Sequence, residues 1–145
     1  MQKISIEEAI EQIVKKDPRY HSEAYQFVRE ALDFTIKHQK KGQAQPHHVS
    51  GSELLEGIRL YALDQYGPLA RTVLGYWSIR TCEDFGEVVF NMVALRILKT
   101  TEKDSRDDFK NGYDFDEAFL HPFEPIRKPT RRSTSKAKLD PKSDS

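Results

Sequence analysis

Apolar positions recur at helical period through most of the chain, and polar start and stop signals divide them into segments. Ile6, Ala9, Ile10, Ile13 and Val14 form one face of a first helix, opened by a Ser5/Glu8 capping box and ended at Asp17-Pro18. Ser22 is placed to cap a longer second helix with a buried face of Ala24, Phe27, Val28, Ala31, Leu32, Thr35 and Ile36. Lys37, Lys40 and Lys41 suit its negative end, and Gly42 terminates it. The densest patterning lies between His47 and Leu98. Ser50 with Glu53 predicts a reciprocal N-cap for a third helix, and Val49 and Leu54 have the spacing of a hydrophobic staple. Leu54, Leu55, Ile58, Tyr61 and Ala62 share a stripe, Leu60 and Leu63 begin a second, and Gly67-Pro68 stops the helix. Two stripes imply contact from two sides. Pro68 then opens a fourth segment whose shared face is Leu69, Ala70, Val73, Leu74 and Trp77. Thr81 with Asp84 caps a fifth, carrying Phe85, Val88, Val89, Met92 and Val93.

Gly57, Gly75 and Gly86 sit inside these segments, where each costs about 0.5–1 kcal/mol relative to Ala. Close approach of helices is the expected compensation. Residues 104–123 interleave carboxylates with Phe109, Tyr113, Phe115, Phe119 and Phe123. A hairpin at Asn111-Gly112 would set Phe109 opposite Asp114, so apolar residues would not face one another. Short helices fit better, one starting at Asp104 or Ser105 and one capped by Asp114 with Glu117. The whole reads as an all-α compact bundle of about five helices with a short irregular helical C-terminal extension. One domain spans residues 1–123, followed by a basic tail, 124–145, lacking apolar periodicity and expected to be disordered.

Composition narrows the function classes. A formal net charge of zero hides an asymmetry: residues 121–145 hold seven Lys and Arg against three Asp and Glu, leaving 16 against 20 for residues 1–120. An acidic body suits phosphate backbones poorly, whereas the basic tail can contact nucleic acid without sequence preference. The single cysteine, Cys82, excludes an intramolecular disulfide. The N-terminal segment has acidic residues where a signal peptide needs its apolar run, and no stretch is apolar over the roughly 18 residues of a membrane span, so a soluble cytoplasmic protein is expected.

The motifs HVSG-x-ELLEGIR-x-x-AL and EDFGE-x-VFN, with DPRY, EAYQFVREALDFT and DSRDDFKNGYDFDEAF, resemble a family of small proteins from planctomycete and verrucomicrobial bacteria. The resemblance covers about residues 17–123. His47 stands where relatives are expected to carry Arg. What it implies is the fold boundaries and a bacterial origin; the family carries no assigned activity.

Candidate chemistry is sparse. Adjacent His47 and His48 diverge as side chains, and no His-x-x-x-His or Cys-x-x-Cys adds ligands, so no metal is expected and His48 is read as bonding near the start of the third helix. Cys82 lies at a helix start, but Glu83 and Asp84 oppose a thiolate, which makes an inert thiol. Asp84-Phe85-Gly86 spells a kinase triplet without a kinase's other parts. The carboxylates at 107, 108, 114, 116 and 117 do not have calcium-loop spacing. No catalytic constellation and no cofactor motif emerge, which leans away from an enzyme. The expected function is a helical protein-interaction or regulatory module with a protein partner. The alternative is a nucleic-acid-binding protein with a helix-turn-helix-like core and the basic tail, although acidic side chains on the recognition helix would repel phosphate. Candidate binding residues are His48, Tyr113, Asp114 and Phe115, where the acidic aromatic stretch meets the Val49–Gly67 helix.

Overall fold

A computed structural model describes residues 5–42, 49–99, 104–110 and 112–125, apart from the side chains of 39–42. His47, His48 and residues 126–145 of the expected tail lie outside the described residues, so the expectations placed on them stay at the level of sequence. Among the described residues the secondary structure is helical throughout, with six α-helices, three 3₁₀ turns and no strand.

α1 (Ile6–Lys16) carries the complete Ser5/Glu8 capping box and buries Ala9, Ile10 and Ile13. α2 (Ser22–Gly42) begins one residue earlier than its expected cap allowed. Ser22 is the first helical residue, and the free amide of Glu23 donates to Nδ1 of His21 at 3.1 Å. A histidine nitrogen thus does the work expected of the serine hydroxyl.

α3 (Gly51–Tyr66) has the predicted cap: the Glu53 N–H donates to Ser50 Oγ at 3.1 Å, and the Ser50 N–H donates to Glu53 Oε1 at 2.9 Å. It ends at Gly67, whose φ of 51° an L-residue rarely adopts. The 3₁₀ turn Gly67–Leu69 precedes α4 (Ala70–Tyr76). That tighter turn ends the α-helical phase, so Leu69 is 62% exposed and not on the buried stripe, while Ala70, Leu74 and Trp77 are buried as expected. α4 closes with Ser78 at φ 69°. The Ile79 N–H donates to Leu74 O at 2.9 Å and the Ile79 side chain is fully buried, a left-handed helix stop with its hydrophobic contact.

α5 (Cys82–Ala94) repeats the capping logic with Thr81 and Asp84 and buries Cys82, Phe85, Gly86, Val88, Val89 and Met92. Asp84 of the kinase-like triplet is therefore a capping residue and Phe85 a core residue. The 104–123 stretch is short helices: a 3₁₀ turn Arg106–Phe109 capped by Ser105, α6 (Phe115–Phe119) capped by Asp114, and a final turn His121–Phe123.

α2 and α3 make the most extensive helix pair, α5 packs across α2, and α6 rests on α3 and α4. Tyr25, Ile58, Leu74, Ile79, Phe85, Met92 and Phe119 lie at the centre of one continuous core. The glycines divide by cause. A Cβ on Gly57 would lie 1.7 Å from Thr35 Oγ1, so α2 and α3 approach through that gap, and one on Gly86 would meet Phe109 at 3.0 Å. Gly75 faces only Arg71 Nη1, at 3.7 Å, and close approach does not account for it.

Candidate binding cleft

Of the residues singled out from sequence at the 104–123 stretch, Tyr113 and Phe115 turn into the fold and Asp114 stays at the surface. Gly112 lets the chain run against Cys82, since a Cβ there would lie 2.5 Å from the sulfur. Tyr113 then turns inward: its N–H donates to Cys82 Sγ at 3.3 Å, its hydroxyl donates to the Leu55 carbonyl at 2.8 Å, and burial raises its phenol pKa. The Phe115 ring is buried between Phe85, at 5.6 Å between centroids, and Phe119, at 5.1 Å. Asp114 is exposed, its carboxylate accepting from the N–H groups of Asp116 and Glu117. Tyr113 and Phe115 therefore close the core and do not stand free as anchors. Each aromatic ring has more apolar surface to bury against Phe85 and Phe119 than a solvent-facing position would give it.

Cys82 is buried, and desolvation raises its thiol pKa, opposed by its hydrogen bonding with the Tyr113 backbone. An inert thiol follows.

A second polar cluster braces α1 and α2 to α5. Asp17 accepts from Arg19 Nε and Nη2 at 2.8 and 2.7 Å and from Asn91 Nδ2 at 3.0 Å, contacts that hold its carboxyl far below the usual aspartate range. Asn91 Nδ2 also donates to the hydroxyl of buried Tyr25 at 3.1 Å. Arg19 reaches Glu87 at 3.1 Å, and the Tyr20 hydroxyl donates to Asp84 at 2.7 Å. Arg19 bridges two of the carboxylates, and Asn91 and Tyr20 donate to the cluster as well, so it ties the end of α1 and the start of α2 to α5.

Where the Val49–Gly67 segment does meet the 104–123 stretch, there is an open cleft of about 390 Å³. α2 contributes Leu32 and Ile36, the start of α3 contributes Val49, Ser50, Gly51 and Leu54, and α5 contributes Val89 and Phe90. Leu98, Lys99, Asp104, Asp108 and Phe109 complete it. The walls are mostly apolar, and the charged groups belong to Lys99, Asp104 and Asp108. The Asp108 carboxylate accepts from the Ser105 N–H at 3.1 Å, and it thereby also caps the Arg106–Phe109 turn. Such a volume holds one bulky side chain or a compact apolar molecule.

Tyr113, Asp114 and Phe115 do not line this cleft, and His48 lies outside the described residues. Leu32, Ile36, Val49, Phe90 and Leu98, which line the cleft, are among the apolar residues left half-buried after the core is filled. Phe90 carried the available signal, a large apolar residue beside the α5 stripe and not on it. The chain contains no group of three metal-ligating side chains among the described residues, and no described helix is long and apolar enough to cross a membrane. Comparison with family models, curated proteins and solved structures found no match.

Proposed function

We propose that the protein is a helical interaction module whose cleft receives one bulky apolar side chain presented by a partner polypeptide. The observation that carries this reading is the convergence of Leu32, Ile36, Leu54, Val89, Phe90, Leu98 and Phe109 on one open cavity of about 390 Å³. Apolar walls with few polar groups supply affinity through burial, at about 25 cal/mol per Å², and little of the directional hydrogen bonding a small polar substrate needs. Lys99, Asp104 and Asp108 act as a polar rim. The partner is taken to be met in a bacterial cytoplasm, an assignment that rests on the sequence motifs and the single thiol.

The nucleic-acid alternative gains no support from α5, the would-be recognition helix. Its apolar side is buried against α2, and Glu83, Asp84 and Glu87 stand among its less buried positions.

The test is to fill the cleft. Ile36→Trp should leave helical content and the thermal midpoint nearly unchanged while abolishing recovery of a protein that co-purifies with the wild type from its own cells. Retention of every such protein by the variant would refute the reading. Native mass spectrometry that detected a small apolar molecule on wild type and not on Ile36→Trp would replace the polypeptide by a small ligand.

A further inference from the structure

The next inference rests on the cleft reading and concerns how the cleft opens. One of its walls is attached differently from the rest. Leu32 and Val89 belong to helices of 21 and 13 residues whose buried faces build the core. The 3₁₀ turn Arg106–Phe109 has a single buried residue, Phe109, and its other three are exposed. That ring lies over a notch floored by Gly51 and Gly86, with the Phe90 ring edge-on beside it at 6.4 Å between centroids. A Cβ on Gly86 would lie 3.0 Å from Phe109 Cβ and Cγ, and a Cβ on Gly51 would lie 3.3 Å from Phe109 Cε1 and 2.6 Å from Asp108 Cβ.

An ion pair links the turn to α5. Arg106 Nη1 lies 3.0 Å from Glu87 Oε2, with its guanidinium 5.2 Å from the centroid of the Phe90 ring, while Arg19 holds the other Glu87 oxygen. The ion pair is half-exposed, so water competes with it. A segment with one buried side chain and a few exposed backbone hydrogen bonds is the kind that opens below the energy of global unfolding.

We infer that residues 105–110 form a releasable strap: Phe109 leaves the Gly51/Gly86 notch, the strap swings off α3 and α5 as a unit, and the cleft widens to admit its apolar occupant. The Arg106–Glu87 ion pair is the latch that sets how often this happens.

Hydrogen exchange and probe uptake test it together. In the full chain, the amides of Asp108 and Lys110, which donate to Ser105 O and Asp107 O at 3.1 Å each, report the strap. Arg106→Ala and Glu87→Gln should each speed their exchange about 1.5- to 5-fold, the double variant should add little, and amides inside α5 should not change. The on-rate of the neutral apolar fluorophore N-phenyl-1-naphthylamine should rise by the same factor. Strap amides that exchange no faster, or only together with those of α5, overturn the inference whatever the probe does. Faster strap exchange with an unchanged on-rate also overturns it and leaves the cleft reading standing. A wild type that takes up no probe, or an Ile36→Trp variant that takes up as much, removes the cleft itself and the strap's role with it.

Discussion

Gly57→Ala is the sharpest probe of how the bundle is built, because local and tertiary physics predict opposite signs. Gly57 lies inside α3, where Ala would raise helix stability by about 0.5–1 kcal/mol. The added methyl would lie 1.7 Å from Thr35 Oγ1, 2.9 Å from its Cβ and 3.1 Å from its Cγ2, against an ordinary contact of about 3.5–4 Å. Thr35 cannot yield without loss. It is buried, and its hydroxyl donates to the Ala31 carbonyl at 2.7 Å, so rotation away strands a polar group in the interface. Either α2 and α3 separate or that hydrogen bond breaks, and overpacking of this kind costs about 1–3 kcal/mol, with the upper end fitting so short a contact. After the helix gain is subtracted, a net loss of about 1–2 kcal/mol remains. Urea unfolding with an unchanged m-value measures it, and the thermal midpoint should fall by about 4–10 °C. Thr35→Ala in the same chain should recover part of the loss, giving a coupling of about 0.5–3 kcal/mol. A Gly57→Ala variant as stable as wild type, or more stable, would mean that α2 and α3 do not meet at this glycine.

Four further outcomes are expected. Ser50→Ala should destabilise by about 0.5–2 kcal/mol in denaturant unfolding, since both halves of the α3 capping box are formed; an unchanged midpoint would remove Ser50 as the cap. Ser78→Gly should stabilise by about 0.5–1 kcal/mol, because Ser78 holds φ 69° where glycine is unstrained; a loss on thermal unfolding would contradict it. Phe115→Ala should cost about 3–5 kcal/mol as a core truncation, whereas a near-neutral effect in chemical denaturation would return the ring to the surface. The folded-state pKa of Asp17 is depressed, so its stabilisation is complete above the ordinary aspartate value of about 3.9 and declines as pH falls through the folded value. The midpoint difference between wild type and Asp17→Asn should therefore be constant from pH 7 to 5 and shrink below about pH 4; a difference equally large at pH 3 would be inconsistent with that titration.

What the sequence determined by itself were the features that act within a few residues. Ser5, Ser50, Thr81 and Asp114 cap the elements they were expected to cap, and of Asp104 and Ser105 it is Ser105 that caps the 106–109 turn, because a capping side chain bonds an amide two or three positions away. The buried stripes of α1, α3 and α5 follow from helical period alone. Tertiary structure decided which surplus apolar residues are covered. Nothing local distinguishes Tyr25, fully buried with its hydroxyl on Asn91 66 positions away, from Tyr76, which is 75% exposed. Likewise Tyr113 and Phe115 looked like anchors on a polar rim until Cys82, Leu55 and Phe85 were brought beneath them. The cleft belongs to the same category: its walls come from α2, α3, α5 and the 106–109 turn, and a void left where these elements fail to meet has no signature in any one of them.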